Sequence, residues 1–205
     1  MSRNFTPKGK LVRRFGLNIF GNPKYDRLLE RKKSPPGPPL KRRRRESEYG
    51  KRLVEKQKLR FCYGLTETQM RKVMEQARKS TNVTGQELMC LLERRFDNAL
   101  FRAGLAQTRT QARQMITHGH FAINGVKTKS PGYMLRKGDV ITPRKKEKSE
   151  RMLRENLSKT TGVTVPAWLN FSKDDLKAEI EREPVYNEDF TSLVDEQLVI
   201  EFYSR

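Results

Sequence analysis

The side chains best suited to chemistry lie in one short segment, where Arg109, Arg113 and Gln114 occur at spacings typical of one side of a helix. Guanidinium and amide groups arranged in this way donate hydrogen bonds to phosphate and sugar oxygens. We expect Lys127 or Lys129 to join them from a following hairpin. The predicted chemistry is therefore recognition of a phosphate backbone, not catalysis in a pocket.

Local signals predict the elements that position these side chains. Thr108 and Gln111 have the spacing of a capping box, and Gly119 is suited to the left-handed residue that ends a helix. Asn124-Gly125 is a strong signal for a two-residue β-turn because both residues tolerate positive φ. A helix followed by a hairpin should therefore hold the cationic and amide groups outward.

Charge is divided unevenly along the 205 residues, which carry a net charge of +20. Residues 1–60 contribute +15, residues 61–150 contribute +9, and residues 151–205 contribute −4. A surface this basic favours polyanions, and the uneven division argues against a uniform solubilising coat. No apolar run approaches the roughly 20 residues that span a bilayer, so no membrane partner is expected.

The cysteine and histidine content argues against a structural metal. Cys62, Cys90, His118 and His120 are the complete set, and they lack the spacing of a zinc site, which needs about four ligands. A disulfide is arithmetically allowed, but two thiols are expected in a reducing compartment. His118 is better explained as a histidine at a helix C-terminus, where the helix dipole favours this residue type. No metal and no cofactor are predicted.

The amino-terminal 45 residues read as an extended basic arm that becomes ordered on RNA, because prolines and glycines interrupt any long helix. From Ser47 to Phe61 the pattern becomes helical, and capping boxes are predicted at Thr66 and Thr84. Towards the end of the chain we predict a helix beginning at Ser172. Residues 198–203 are predicted to form a strand or an extended packing segment.

The chain resembles the S-four family of bacterial small-subunit ribosomal proteins over essentially its whole length. The motifs that carry the resemblance are Lys8 to Gly16, Ser34-Pro35-Pro36-Gly37, Ser47-Glu48-Tyr49-Gly50, Glu55 to Arg60, Tyr63-Gly64, Leu91 to Arg102, Ala112-Arg113-Gln114, His118-Gly119-His120, Asn124-Gly125, Pro166 to Leu169 and Tyr203-Ser204-Arg205. The sequence departs from the family where Pro38-Pro39-Leu40 replaces the usual Gln-His-Gly.

This resemblance implies a non-enzymatic, structural constituent of the small ribosomal subunit in the cytoplasm, with an organellar ribosome as the less favoured alternative. It implies a primary binder of the 5′ domain of 16S ribosomal RNA that nucleates assembly of the 30S body and affects translational accuracy. The fifth small-subunit protein would be a neighbour. Some relatives also repress their own operon, which would add messenger RNA to the partners.

The predicted fold is α+β. A mainly helical domain of residues 46–93, completed by residues 158–205, should contain an inserted S-four RNA-binding module of residues 94–157. That module should consist of two helices on a small twisted sheet. The basic arm of residues 1–45 should lie outside both.

The predicted RNA-binding residues combine the basic runs with the motifs of the resemblance. They are Arg3, Lys8, Arg13, Arg14, Arg42, Arg43, Arg44, Arg45, Tyr49, Lys56, Lys58, Arg60, Arg94, Asn98, Arg102, Arg109, Thr110, Arg113, Gln114, His118, His120, Asn124, Lys127 and Lys129. Among their neighbours, Asp97 should orient arginines without touching RNA, because phosphate would repel it. Asn98 is predicted to contact a 2′-hydroxyl.

Two other functional classes compete with this interpretation. An RNA-modifying enzyme that carries the same module would need a catalytic domain, and the flanking segments are too short to supply one. A DNA-binding protein or a general assembly factor would be separated by comparing duplex DNA with structured RNA in a salt titration. The acidic residues between Asp174 and Glu183 are expected to form a solvated helix face.

Overall fold

The computed structural model describes residues 6–38, 47–144, 147–160, 164–190 and 192–204. Contacts divide the chain into two compact units, Met1–Glu75 with Ser192–Arg205, and Gln76–Thr191. This division differs from the predicted one. The described part of the amino-terminal arm, residues 6–38, belongs to the first unit and does not stand outside it, and most of the described residues after 158 belong to the second.

The first unit is helical, and the arm contributes to it. Its helices are α1 (Lys8–Phe15), α2 (Pro23–Arg31), α3 (Glu48–Cys62), most of α4 (Glu67–Lys79) and α9 (Glu196–Tyr203). The prediction of an extended arm is wrong for its described residues, because prolines and glycines lie at helix ends. Gly16 closes α1 at φ 64°, and Asn22 caps α2 with Pro23 in its first turn.

Buried apolar residues tie the amino-terminal helices to the first unit. Leu11, Val12 and Ile19 are each no more than 5% exposed. The Phe15 ring lies 6.1 Å from the Phe61 ring of α3. The arm therefore supplies part of a hydrophobic core and is not only a cationic tail.

The second unit combines helices with a five-stranded antiparallel sheet. Its elements are the end of α4, then α5 (Thr84–Glu93), α6 (Phe96–Arg102), α7 (Arg109–His118), β1 (Phe121–Ile123), β2 (Val126–Lys127), β3 (Val140–Pro143), α8 (Glu147–Lys159), β4 (Leu169–Ser172) and β5 (Lys177–Ile180). The strand order is β2-β1-β3-β5-β4. One core cluster runs from Phe96 through Phe121 and Ile141 to Trp168. The α+β fold class is confirmed.

Two predictions of secondary structure in the carboxy-terminal quarter are wrong. The segment after Ser172 forms a β-hairpin, because Leu176, Ala178 and Ile180 are buried at the two-residue spacing of a strand. The segment 198–203 is helical, because the Asp195 carboxylate accepts hydrogen bonds from the backbone N–H groups of Gln197 and Leu198. The acidic residues from 174 to 183 therefore lie on and around this hairpin, not on a helix.

Candidate nucleic-acid interface

The candidate interface is built on α6, α7 and the β1–β2 hairpin, and backbone hydrogen bonds fix its starting point. The N–H of Phe96 donates to the carbonyl of Tyr133 at 2.9 Å, and that of Asp97 donates to Pro131 at 3.1 Å. The first turn of α6 is thereby held by the segment between the hairpin and β3. A side chain placed there has a defined position.

Asp97 occupies that position and holds two arginines. Its carboxylate, 2% exposed, accepts from Nε and Nη2 of Arg95 at 3.1 and 3.0 Å. It also accepts from Nε of Arg113 on α7 at 3.1 Å. The prediction that Asp97 orients neighbouring arginines is confirmed for Arg95 and Arg113. Arg113 is half-buried, so it does not lie on a fully exposed face as the sequence suggested.

Glu93, the last residue of α5, anchors Arg102 directly and Arg109 through Asn98. Its fully buried carboxylate accepts from Nε and Nη2 of Arg102, both at 2.9 Å, and from the Asn98 amide at 2.8 Å. The Asn98 carbonyl oxygen accepts from Arg109 Nε at 2.7 Å. The Arg109 guanidinium also lies 4.5 Å from the centre of the Phe101 ring.

This arrangement corrects the role predicted for Asn98. The residue is completely buried, and its amide group joins Glu93 to Arg109. A side chain in that position does not reach a ribose 2′-hydroxyl. The sequence places Asn98 correctly beside the arginines but does not reveal that it faces inward.

The caps of α7 agree closely with the sequence signals. Thr108 Oγ1 accepts from the N–H of Gln111, and Gly119 ends the helix at φ 74°. The Gln111 side chain reaches back to the N–H of Gln107 instead of that of Thr108, so the box is displaced by one residue. Beyond this cap, Thr110, Gln114 and His118 are exposed along the helix.

Two lysines from the hairpin cross the carboxy-terminal end of α7. A Cβ atom added to Gly119 would lie 2.8 Å from Cε of Lys127 and 3.5 Å from Cε of Lys129. Both lysines are exposed. The absence of a side chain at Gly119 thus lets the two lysine side chains approach the end of α7, as expected for cations across the hairpin.

The turn of the hairpin is itself held in place. Asn124 and Gly125 have φ angles of 49° and 78°, which confirms the predicted turn. The Asn124 amide donates to Asp139 at 2.9 Å, and its carbonyl accepts from the N–H of Val140 at the same distance. Asn124, predicted to bind RNA, therefore uses its side chain to secure the turn against β3.

The two histidines have different surroundings. His118 is exposed, whereas His120 is half-buried with its Nδ1 3.0 Å from the hydroxyl of Ser149. Their ring centres are 6.2 Å apart. Within the described ranges, no group of three metal-ligating side chains could hold an ion. Cys62 and Cys90 are both half-buried and are not joined in a disulfide.

In the first unit, three predicted RNA-binding cations are engaged within the protein. Lys56 is 4% exposed and lies 2.9 Å from Glu67 and 4.6 Å from the Phe202 ring centre. Lys58 contacts Glu55 at 2.5 Å, and the Arg60 guanidinium lies 4.7 Å from the Phe61 ring centre. Burial of Lys56 removes it from any RNA surface, contrary to the prediction.

Glu67 lies at the centre of this second cluster. Burial opposes its ionisation, but hydrogen bonds from Lys56 and Tyr203 outweigh burial and lower the pKa of its carboxyl. The Tyr203 hydroxyl donates to it at 2.8 Å. Burial and that bond raise the pKa of the Tyr203 phenol. The cluster joins α3, α4 and α9.

The remaining candidates of the first unit lie nearer its surface. Arg14 and Tyr49 are exposed, while Arg13 donates to the carbonyl oxygens of Ser34 and Pro35 at 3.0 and 3.1 Å. Lys8 lies 5.2 Å from the Phe20 ring centre, and burial lowers the pKa of its ammonium. The predicted contacts from Arg3 and from residues 42–45 fall outside the described residues.

Two charged residues with structural importance were absent from the predicted site. Glu93 and Arg95 are both almost completely buried beside the candidate arginines. Glu93 occurs directly after the apolar stripe of α5, which is an unusual place for an acid and could have indicated a buried ion pair. Arg94, which was predicted to bind RNA, forms an ion pair with Glu183 at 2.9 Å.

The second unit combines an α+β fold with anchored arginines and exposed lysines. These features are typical of nucleic-acid-binding proteins. The family profile described as "Ribosomal protein S4/S9 N-terminal domain" matches residues 3–93, and that described as "S4 domain" matches residues 94–141. No helix among the described residues is both long and apolar enough to cross a membrane.

Curated relatives agree with these profiles. Small ribosomal subunit protein uS4 of Borrelia hermsii (strain HS1 / DAH) is 44% identical over 207 residues, which cover 100% of this chain and 99% of that one. The uS4 protein of Treponema pallidum subsp. pallidum is 42% identical over 97% of both. The chain therefore belongs to the S4 family of small-subunit ribosomal proteins.

Membership of this family confirms the resemblance seen in the sequence. It establishes a ribosomal protein with an S4 RNA-binding domain and excludes the enzymatic alternative, since the relatives are structural ribosomal proteins. Its place of action is the small ribosomal subunit.

Proposed function

We propose that this protein is a primary binder of 16S ribosomal RNA, acting on the 5′ domain, and that it nucleates assembly of the 30S body. The main support is the similarity to small-subunit proteins uS4 over the whole chain. The anchored arginines beside α7 and the two lysines across its end supply the chemistry that such binding needs.

The geometry suggests how binding would occur. Arginines whose guanidinium groups are already oriented lose less conformational freedom when they meet phosphate than freely rotating ones. Lys127 and Lys129 are flexible point charges that can adjust to the backbone. Each neutralised phosphate releases counterions, so the affinity should fall steeply with salt.

The proposal extends to the neighbours of the RNA site. It includes a position beside the fifth small-subunit protein, an effect on translational accuracy and action in the bacterial cytoplasm. Repression of its own messenger RNA would use the same cationic surface on a second RNA. These roles are drawn from the family resemblance and go beyond the family assignment itself.

Protection mapping of small-subunit ribosomal RNA by the purified protein tests the proposal. We expect protection confined to the 5′ domain. The double variant Lys127→Ala/Lys129→Ala should bind more weakly, and its slope of log affinity against log salt should flatten by about 1.4–1.8 for two lost phosphate contacts.

A matched control removes the same charge from the same unit at Lys173 and Arg151, both exposed. The Lys173→Ala/Arg151→Ala variant should keep the salt slope of the unmodified protein. Protection spread over the whole RNA, or equal salt slopes for both double variants, would contradict the proposed function.

A further inference from the structure

We propose that Glu93 is a positioning residue for RNA binding, which fixes Arg102 directly and Arg109 through Asn98. This inference rests on the proposed function and assigns to a buried acid the task of holding two cations of the RNA-binding site. Its place after the apolar stripe of α5 indicates burial, but its partners are set by the fold.

The first part of the argument is the contact between Glu93 and Arg102. The carboxylate is fully buried, and each of its oxygens accepts one hydrogen bond from the guanidinium at 2.9 Å. Such a two-point contact fixes the plane of the guanidinium as well as its position. The Arg102 side chain keeps 30% of its surface exposed, so an oriented cation still reaches solvent.

The second part is the path from Glu93 to Arg109. One Glu93 oxygen accepts from the Asn98 amide at 2.8 Å, which fixes the orientation of that amide. The Asn98 carbonyl oxygen then accepts from Arg109 Nε at 2.7 Å. The Phe101 ring, 4.5 Å from the guanidinium, supports it from another side. The Asn98 side chain thus links Glu93 to Arg109.

The third part is the sign of the electrostatic effect. An acid near bound RNA repels phosphate, so its neutralisation should strengthen binding if charge alone mattered. If Glu93 acts by orientation, its neutralisation should weaken binding because Arg102 and Arg109 lose their fixed geometry. The two explanations predict opposite changes in affinity.

The test compares Glu93→Gln with Glu179→Gln in the full chain, using the 5′ domain of 16S ribosomal RNA at moderate salt. Glu179 is an exposed acid on β5 of the same unit. We expect Glu93→Gln to weaken binding by about tenfold, as for loss of a partner of a buried charge pair. Glu179→Gln should bind within about twofold of the unmodified protein or slightly more tightly, as expected for an exposed charge.

A mutant cycle separates positioning from general stability. In a background of Arg102→Ala/Arg109→Ala, the further change Glu93→Gln should not alter RNA affinity, because the two arginines that Glu93 positions are already absent. Equal losses of RNA affinity with and without the two arginines would overturn the proposal. So would a folded Glu93→Gln protein that binds as tightly as the unmodified one.

Asn98→Ser provides a second, smaller change if Glu93→Gln does not fold. It removes the link to Arg109 and leaves the Glu93–Arg102 pair, so its effect on RNA affinity should vanish in an Arg109→Ala background. Failure of both variants to fold would make Glu93 a stability residue only and overturn the proposal. Absence of 5′-domain binding by the unmodified protein would instead contradict the proposed function.

Discussion

The two units hold their buried cations in different ways. In the second unit, the arginines are fixed by carboxylates no more than 2% exposed, each accepting two-point contacts. In the first, Lys56 meets the partly exposed Glu67 and also rests on an aromatic ring. A planar guanidinium can be oriented by a buried acid, whereas an ammonium group is held as a point charge. The arginines oriented in this way include Arg102 and Arg113 of the surface proposed to bind RNA.

The largest effect on stability should come from replacing Asp97, the buried acid that accepts hydrogen bonds from Arg95 and Arg113. Asp97→Ala leaves Arg95, 5% exposed, without this partner, and should lower the free energy of unfolding by about 3–5 kcal/mol. Glu67→Ala should cost only about 1–3 kcal/mol, because the Glu67 side chain is one-third exposed and the Phe202 ring still contacts Lys56. Urea unfolding of both variants measures the difference.

Two probes sharpen that measurement. Trp168, the single tryptophan, lies in the core of the second unit, so its fluorescence follows that unit. Far-ultraviolet circular dichroism follows the helices of both. An Asp97→Ala transition no lower than that of Glu67→Ala would show that the buried acid is not the stronger anchor.

The next effect concerns the amino-terminal helices, which belong to the first unit. Leu11→Ala should cost about 2–5 kcal/mol, because the Leu11 side chain is buried. Leu193→Ala, at a position 56% exposed in the same unit, should change the stability by less than about 0.5 kcal/mol. Equal unfolding midpoints for the two variants would show that the amino-terminal helices do not contribute to the stability of the first unit.

A smaller effect should distinguish two glycines with similar backbone geometry. Gly119 and Gly125 have φ angles of 74° and 78°, so alanine should cost roughly 1–2 kcal/mol at either position. Only at Gly119 would the new methyl group meet Lys127. Gly119→Ala should therefore also flatten the salt slope of RNA binding by about 0.7–0.9, the share of one phosphate contact.

Gly125→Ala is the matched control for that substitution, since nothing lies within 4 Å of its added Cβ. Its salt slope should equal that of the unmodified protein. A similar flattening in both variants would indicate that turn strain, not displacement of Lys127, affects RNA binding.

The smallest effect should appear as a pH dependence of the first unit. Because the folded state lowers the pKa of Glu67, its ionised form adds stability above the ordinary value of 4.5, and this stability is lost as pH falls through the folded-state pKa. Glu67→Gln should flatten the fall in the urea midpoint between about pH 5 and pH 3. An unchanged pH profile would argue against the Lys56–Glu67–Tyr203 cluster as its source.

Local signals predicted the parts of the fold that depend on neighbouring residues. Thr66 and Gln69 exchange the expected capping hydrogen bonds, and α3 begins directly after Ser47, within one residue of its predicted start. The prediction of a capping box at Thr84 is wrong, because α5 begins at that residue without a side-chain cap. The strand β5 and the helix α9 could not be assigned locally, since short apolar runs fit both kinds of element until their partners are known.

In the candidate site, too, the sequence predicted what depends on local spacing and missed what depends on contacts between distant residues. Spacing placed Arg109, Arg113 and Gln114 on one helix, and charge reasoning assigned Asp97 to its neighbouring arginines. The burial of Lys56 and Asn98 depends on residues distant in sequence, Glu67 and Phe202 for the first and Arg109 for the second. Residue type alone does not separate a cation that faces RNA from one that faces a carboxylate.

The strand order has a consequence for synthesis of the chain. β3 lies between β1 and β5, yet β5 is made only after the whole of α8 and β4. During translation one edge of β3 must wait without its partner, and an open edge of this kind can pair with other chains. The first unit is completed later still, because its last helix, α9, is made after the whole of the second unit. The open edge of β3 therefore persists until residues 177–180 have been made.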